Sequence, residues 1–183
     1  MPIKISNQRY EEIKRIVVRM FVKYGVSCVP INGFEIAHEM GVKVIPYSAI
    51  APSKRWLLIK KSEDGFSVEM DNGQWYIFYN DEKDYGRVNH TIMHEIGHIV
   101  LDHTEDSELA EKEVKFFAKY ALAPPVLIHK LKLDDPESIA QIFEISYEAA
   151  CYAYDYYWKW RRHSYGHYTD YEYRLLWLFD QAS

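Results

Sequence analysis

The sequence predicts an α+β fold in which a small, mainly antiparallel sheet packs on helices and is followed by a helical C-terminal region. Three observations lead to this prediction. Apolar residues recur at spacings of three and four through residues 6–24, as on one face of a helix. From residue 88 onward a helical pattern returns. Between them, four short runs are rich in β-branched and aromatic residues, at 42–48, 55–61, 66–70 and 74–80.

The N-terminal half is expected to contain two helices and then the sheet. The helix over 6–24 should end at Gly25, and a second helix over 31–40 should end at Gly41, because glycine commonly follows the last helical residue. Each of the four runs is predicted to be a strand. Asn72-Gly73 predicts a hairpin turn between the last two of them.

The second half is expected to be helical throughout. Helices are predicted over 88–103 and 105–123, and Pro124-Pro125 closes the second because proline cannot continue a helix. The double proline marks a predicted boundary between a domain of residues 1–125 and a helical, aromatic-rich region of residues 126–183. Three helices are predicted in that region, at 136–143, at 147–162 and after the capping box Thr169–Glu172.

The composition describes an ordinary globular chain. It has 183 residues, 48% of them hydrophobic and 27% charged, which suits one domain with at most a small appendage. The net charge of −5 argues against a general nucleic-acid binder, whose phosphate contacts need a basic surface. Two cysteines far apart in sequence make no disulfide framework. With a polar N-terminus and no apolar run of about 18 residues, we expect a cytoplasmic protein without a membrane partner.

One segment carries recognisable chemistry, the sequence His94-Glu95-Ile96-Gly97-His98. On a helix, residues four apart lie one above the other, so both imidazoles can reach one metal ion. Glu95 then faces a metal-bound water without binding the metal itself. This HExxH arrangement is typical of zinc hydrolases and predicts His94 and His98 as zinc ligands. Two surface histidines on an ordinary helix are the alternative.

A third ligand is predicted from the following helix. When residues 107–122 are projected at 100° per residue, the lysines and most carboxylates share one polar sector, whereas Glu113 lies within the apolar arc. A buried carboxylate must be paired, protonated or metal-bound. We therefore predict Glu113 as the third zinc ligand, with a buried salt bridge as the alternative. Glu111 is the rival carboxylate, but the projection places it among the lysines.

This ligand set predicts a zincin-like metallopeptidase domain over residues 1–125. Two histidines and a distant glutamate are the ligands of thermolysin-type peptidases, in which zinc activates a water molecule. Glu95 is the predicted general base that accepts the water's proton. The candidate oxyanion donors are tyrosine and histidine side chains of the aromatic-rich region.

The chain resembles the ImmA/IrrE family of zinc metallopeptidases over roughly residues 30–150. The matching residues are Asn80, Arg87 and Thr91 before the HExxH sequence, and Glu113, Phe117-Ala118, Leu122-Ala123-Pro124 and Phe143–Ser146 after it. The family's usual Ala-Asn pair is Val114-Lys115 here, and its usual methionine is Ala123. The resemblance implies a phage or mobile-element protein that cleaves a helix-turn-helix repressor and so relieves repression.

Two other functions remain open at this point. The aromatic residues between Tyr147 and Tyr173 are too numerous to bury on one helix face, and exposed aromatic side chains favour protein interfaces. The chain could thus be a metal-containing module that binds a transcription factor without cleaving it. Direct binding to nucleic acid, through the small basic cluster at 159–163, is disfavoured by the acidic composition.

Overall fold

The computed structural model describes residues 4–104, 107–164 and 166–180. The first two helices agree with the sequence prediction. Helix α1 (Asn7–Tyr24) begins at Ser6, whose side chain accepts a hydrogen bond from the Arg9 amide, and ends at Gly25, which has the left-handed φ of 70°. Helix α2 (Gly33–Glu39) is capped by the side chain of Asn32.

The sheet has three strands in the described part of the chain. They are β1 (Lys43–Pro46), β2 (Gly65–Glu69) and β3 (Trp75–Tyr79), in the order β1-β3-β2. The β2–β3 pair is antiparallel, with the predicted turn at residues 72–73 between them, whereas β1 runs parallel to β3. The sheet is therefore evenly mixed rather than mainly antiparallel, with β1 and β2 at its two edges.

The prediction of a strand over 55–61 is wrong, because these residues lie in helix α3 (Pro52–Lys61). Pro52 stands in the first turn, where its missing N–H costs no hydrogen bond. None of the residues in α3 is buried, and Trp56, Leu57 and Ile59 are exposed. The apolar run therefore did not mark a buried strand face, and its leucines and lysines are good helix formers.

Helices α4 (Tyr85–Val100) and α5 (Glu108–Leu122) form the scaffold of the site. Asp84 caps the first and Ser107 caps the second. Residues 105 and 106 of the predicted helix lie outside the described residues. Gly97 lets the two helices approach closely, since a Cβ at this position would lie 2.9 Å from Cδ1 of Phe117.

The C-terminal region is helical, as predicted. It contains α6 (Pro125–Lys130), α7 (Pro136–Phe143), α8 (Tyr147–Ser164) and α9 (Asp170–Asp180). The capping box is confirmed, because the Thr169 amide donates to Glu172 Oε2 at 2.7 Å.

These helices pack on the N-terminal ones. Phe179 of α9 meets Phe21 of α1, and Tyr156 of α8 meets Phe116 of α5. Within the described ranges, no helix is both long and apolar enough to cross a membrane.

Candidate metal centre

The two histidines of the HExxH sequence lie one turn apart on α4, as predicted. The centroids of the His94 and His98 rings are 5.0 Å apart, and both side chains are largely buried. Because helical residues four apart share a face, the backbone of α4 alone brings both Nε2 atoms toward the same point. That point faces α5.

Glu111 of α5 is the carboxylate that lies beside these imidazoles. Its Oε1 is 3.1 Å from His98 Nε2, and its Oε2 is 3.6 Å from His94 Nε2. One potential ligand atom from each of the three residues can be chosen so that all lie within 4.8 Å of one another. The Glu111 side chain is 42% exposed, so the cluster opens toward solvent at the border of the polar sector of α5.

The structure corrects the prediction that Glu113 is the third ligand. Glu113 is buried, with 6% of its surface exposed, but it faces α1 rather than the two histidines. Arg9 Nε donates to its Oε1 at 3.0 Å and Arg9 Nη2 to its Oε2 at 2.6 Å. Glu113 therefore forms a buried salt bridge, which was the alternative to metal binding. The helix projection identified the apolar sector of α5, but it could not show which neighbouring helix covers that sector.

Glu113 is nevertheless connected to the cluster through His103, which follows α4. His103 Nε2 lies 3.1 Å from Glu113 Oε2, and its Nδ1 lies 3.4 Å from Nδ1 of His98. Burial raises the pKa of Glu113, but the hydrogen bonds from Arg9 and His103 outweigh it and lower the pKa below its usual value. As an ionised carboxylate, Glu113 can only accept, so His103 Nε2 is the donor.

Glu95 follows His94 on α4 and lies against the edge strand β2. It is 8% exposed, and the Ser67 hydroxyl of β2 donates to its Oε2 at 2.7 Å. Burial raises the pKa of Glu95, and the hydrogen bond from Ser67 opposes part of that rise. A carboxyl group with a raised pKa holds a proton more readily than a solvated one.

The electrostatics of the cluster suit metal binding by neutral imidazole. Burial lowers the pKa of His94 to about 4, against the attraction of the Glu111 carboxylate and with help from the positive charge of Lys115. Metal ions bind the deprotonated ring nitrogen of histidine. At neutral pH the lone pair of His94 is therefore not lost to a proton.

The structure thus brings His94 and His98 together beside Glu111, with Glu95 on the same helix as the histidines, and adds residues that the sequence analysis missed. Ser67 had no signal beyond its place in a predicted strand. The sequence did contain a signal for Arg9, because it lies four residues before Ile13 and eight before Val17, on the buried face of α1. An arginine in that register predicts a buried acidic partner.

Comparison with protein-family models gives one match, to the IrrE N-terminal-like domain of peptidase family M78, over residues 54–154. The match covers more than half of the 183 residues and includes the sheet strands β2 and β3, α4 and α5. A search of curated proteins found no match. All three residues of the cluster, together with Glu95 and Ser67, lie inside the matched range.

Proposed function

The chain belongs to the IrrE N-terminal-like family of peptidase domains, and on this premise we propose that it is a zinc-dependent endopeptidase that cleaves a helix-turn-helix repressor or another regulatory protein. The observation that carries the proposal is the convergence of His94, His98 and Glu111 on one point, with Glu95 following His94 on the same helix.

The donor set fits zinc. Two imidazole nitrogens and one carboxylate oxygen are the protein ligands of many catalytic zinc sites, and three protein ligands leave a fourth position open. A zinc ion held there supplies a water molecule of lowered pKa and polarises a carbonyl group. Glu111 replaces Glu113 as the proposed carboxylate ligand.

The side chains around the cluster have separate tasks. Glu95 would accept the proton of a metal-bound water, and the Ser67 hydroxyl holds its carboxylate in place by donating to Oε2. For His98 to bind a metal through Nε2, its own proton must sit on Nδ1, and His103 Nδ1 is placed to accept it. Glu113 and Arg9 hold His103 in that orientation.

The repressor substrate is supported by the resemblance to ImmA/IrrE proteases. The experiment that tests it is incubation of the zinc-loaded protein with a helix-turn-helix repressor encoded beside it, followed by mass spectrometry of the products. We expect cleavage at one or a few bonds, complete loss after treatment with a chelator, and recovery when zinc is added back.

The matched control is His94→Ala, which removes a proposed ligand and should not recover with zinc. Cleavage that continues unchanged in the chelated protein, or in His94→Ala, would contradict the proposed mechanism. An intact repressor in the presence of an enzyme that cleaves other proteins would instead contradict the proposed substrate.

A second candidate function is a binding module that does not cleave. It is supported by the exposed aromatic side chains of α8 and α9, namely Tyr147, Tyr152, Trp158, Tyr173 and Trp177. Not all the aromatic residues there are exposed. Tyr157 is buried, with its hydroxyl 3.1 Å from His129 Nδ1, and Trp160 Nε1 donates to Glu172 at 2.6 Å. A Glu95→Gln protein that relieves repression as well as wild type does would favour this candidate.

A further inference from the structure

The packing of α4 against α5 continues beyond the proposed metal ligands. The two helices are antiparallel, so that Glu111 faces His98 and His94, while Lys119, two turns later, lines the same cavity as His90. His90 is one turn before His94, or about 5.4 Å along the helix, and their ring centroids are 6.4 Å apart.

A cavity of about 500 Å³ lies beside His90. The first turns of α4 and the last turns of α5 form two walls, and the start of α8 forms the third. Apolar side chains make up much of the lining, contributed by Leu122, Ala123, Ile145, Ala149, Tyr152 and Ala153. Both the volume and the composition are typical of ligand pockets, which span about 300–1,000 Å³ and are mostly apolar.

The charged groups of the lining do not favour an ionic ligand. Arg87 is bound to Asp64 through two hydrogen bonds, of 2.6 and 3.0 Å. The Lys119 ammonium lies 3.8 Å from the centroid of the Tyr152 ring. Asp84 and Glu148 balance these two cations in the lining.

His90 lines the cavity and lies one turn before His94, so it stands between the cavity and the cluster. The cavity therefore offers apolar contact, and the opposite charges in its lining offset one another.

We infer that this cavity binds an apolar side chain of the peptide substrate, at a position within two residues of the scissile bond. An extended peptide advances about 3.3 Å per residue, so a side chain one or two positions from the bond spans the turn between His94 and His90. The inference rests on the proposed function. It also assigns the C-terminal region a role in substrate binding, because the start of α8 forms one wall of the subsite.

The test fills the cavity and reads out cleavage specificity. The zinc-loaded wild-type protein is incubated with a library of proteome-derived peptides, and the cleaved bonds are identified by mass spectrometry. We expect leucine, isoleucine, methionine or phenylalanine to be enriched at one position within two residues of the bond. In Ala149→Leu, the preference for phenylalanine over alanine at that position should fall by about tenfold or more, because the added side chain occupies the cavity.

The matched control is Asp155→Leu, which adds the same side chain to the exposed face of the same helix, away from the cavity lining. It should cleave with the wild-type preference. A preference that is the same in Ala149→Leu and in the wild type would overturn the inference.

A second measurement does not depend on cleavage. N-acetyl-phenylalanine amide, an apolar residue without charged ends, is titrated into the isotope-labelled protein, and backbone amide shifts are followed by NMR. We expect shifts at residues 149 and 153 in the wild type and smaller shifts in Ala149→Leu. An absence of shifts at these residues at millimolar probe would overturn the cavity's assignment, whereas a wild type that binds the probe but cleaves no peptide would contradict the proposed peptidase function instead.

Discussion

Glu95→Gln is expected to lower kcat by about 10²- to 10⁴-fold, the usual contribution of a general base. Glutamine keeps the shape of the side chain, and its carbonyl oxygen can still accept the hydrogen bond from Ser67. What it loses is the capacity to accept the proton of the attacking water. Because Glu95 is not one of the three clustered ligands, the metal affinity should stay at the wild-type value.

The measurement is steady-state cleavage of a peptide identified from the library, with zinc content determined on the same samples. Ser67→Ala is the matched control, since it removes the hydroxyl that orients Glu95 but leaves the carboxylate in place. It should reduce kcat less than Glu95→Gln does. Equal cleavage by Glu95→Gln and wild type would exclude Glu95 as the base.

Glu113→Ala is expected to lower the free energy of unfolding by about 3 kcal/mol, the lower end of the cost of breaking a buried ion pair. The lower end applies because Arg9 is 27% exposed and keeps Glu12 as a second partner at 2.9 Å. For a chain of this size, the midpoint of thermal unfolding should fall by about 6–12 °C.

Glu12→Ala is the comparison for this prediction. It removes the exposed partner of the same arginine, and exposed ion pairs contribute about 0–1 kcal/mol. Chemical unfolding of both variants in the metal-free state separates the salt bridge from any effect of metal binding. If Glu113→Ala and Glu12→Ala unfold at the same denaturant concentration, the buried ion pair contributes no more to the free energy of unfolding than the exposed one does.

Much of the fold follows from local sequence signals. The Ser6 cap, the glycine at the end of α1, the turn at residues 72–73 and the Thr169–Glu172 capping box are each set by a few neighbouring residues. The strand predicted over 55–61 was wrong because the same residue types fit a surface helix, and no local pattern shows whether an apolar run will be covered. The parallel pairing of β1 with β3 likewise depends on contacts distant in sequence.

The candidate site also has one part that local sequence predicts and one part that depends on tertiary packing. His94, Glu95 and His98 are fixed by spacing along one helix, which the sequence contains in full. The choice between Glu111 and Glu113 depends on which helix covers each side of α5, and that is a tertiary property. Glu113 was correctly expected to be buried, but its partner is Arg9, which is 104 positions away in the chain.

The measurement that tests the proposed centre most directly is the zinc affinity of Glu111→Ala, determined by competition with a chelator. Glu108→Ala, which removes an exposed carboxylate of the same helix that pairs with Lys112, is the matched control. The proposed ligand set predicts that the wild type and Glu108→Ala bind one zinc ion per chain, and that Glu111→Ala binds it at least about 100-fold more weakly while remaining folded. Wild-type zinc affinity in folded Glu111→Ala would contradict the three-residue metal centre on which the proposed peptidase activity rests.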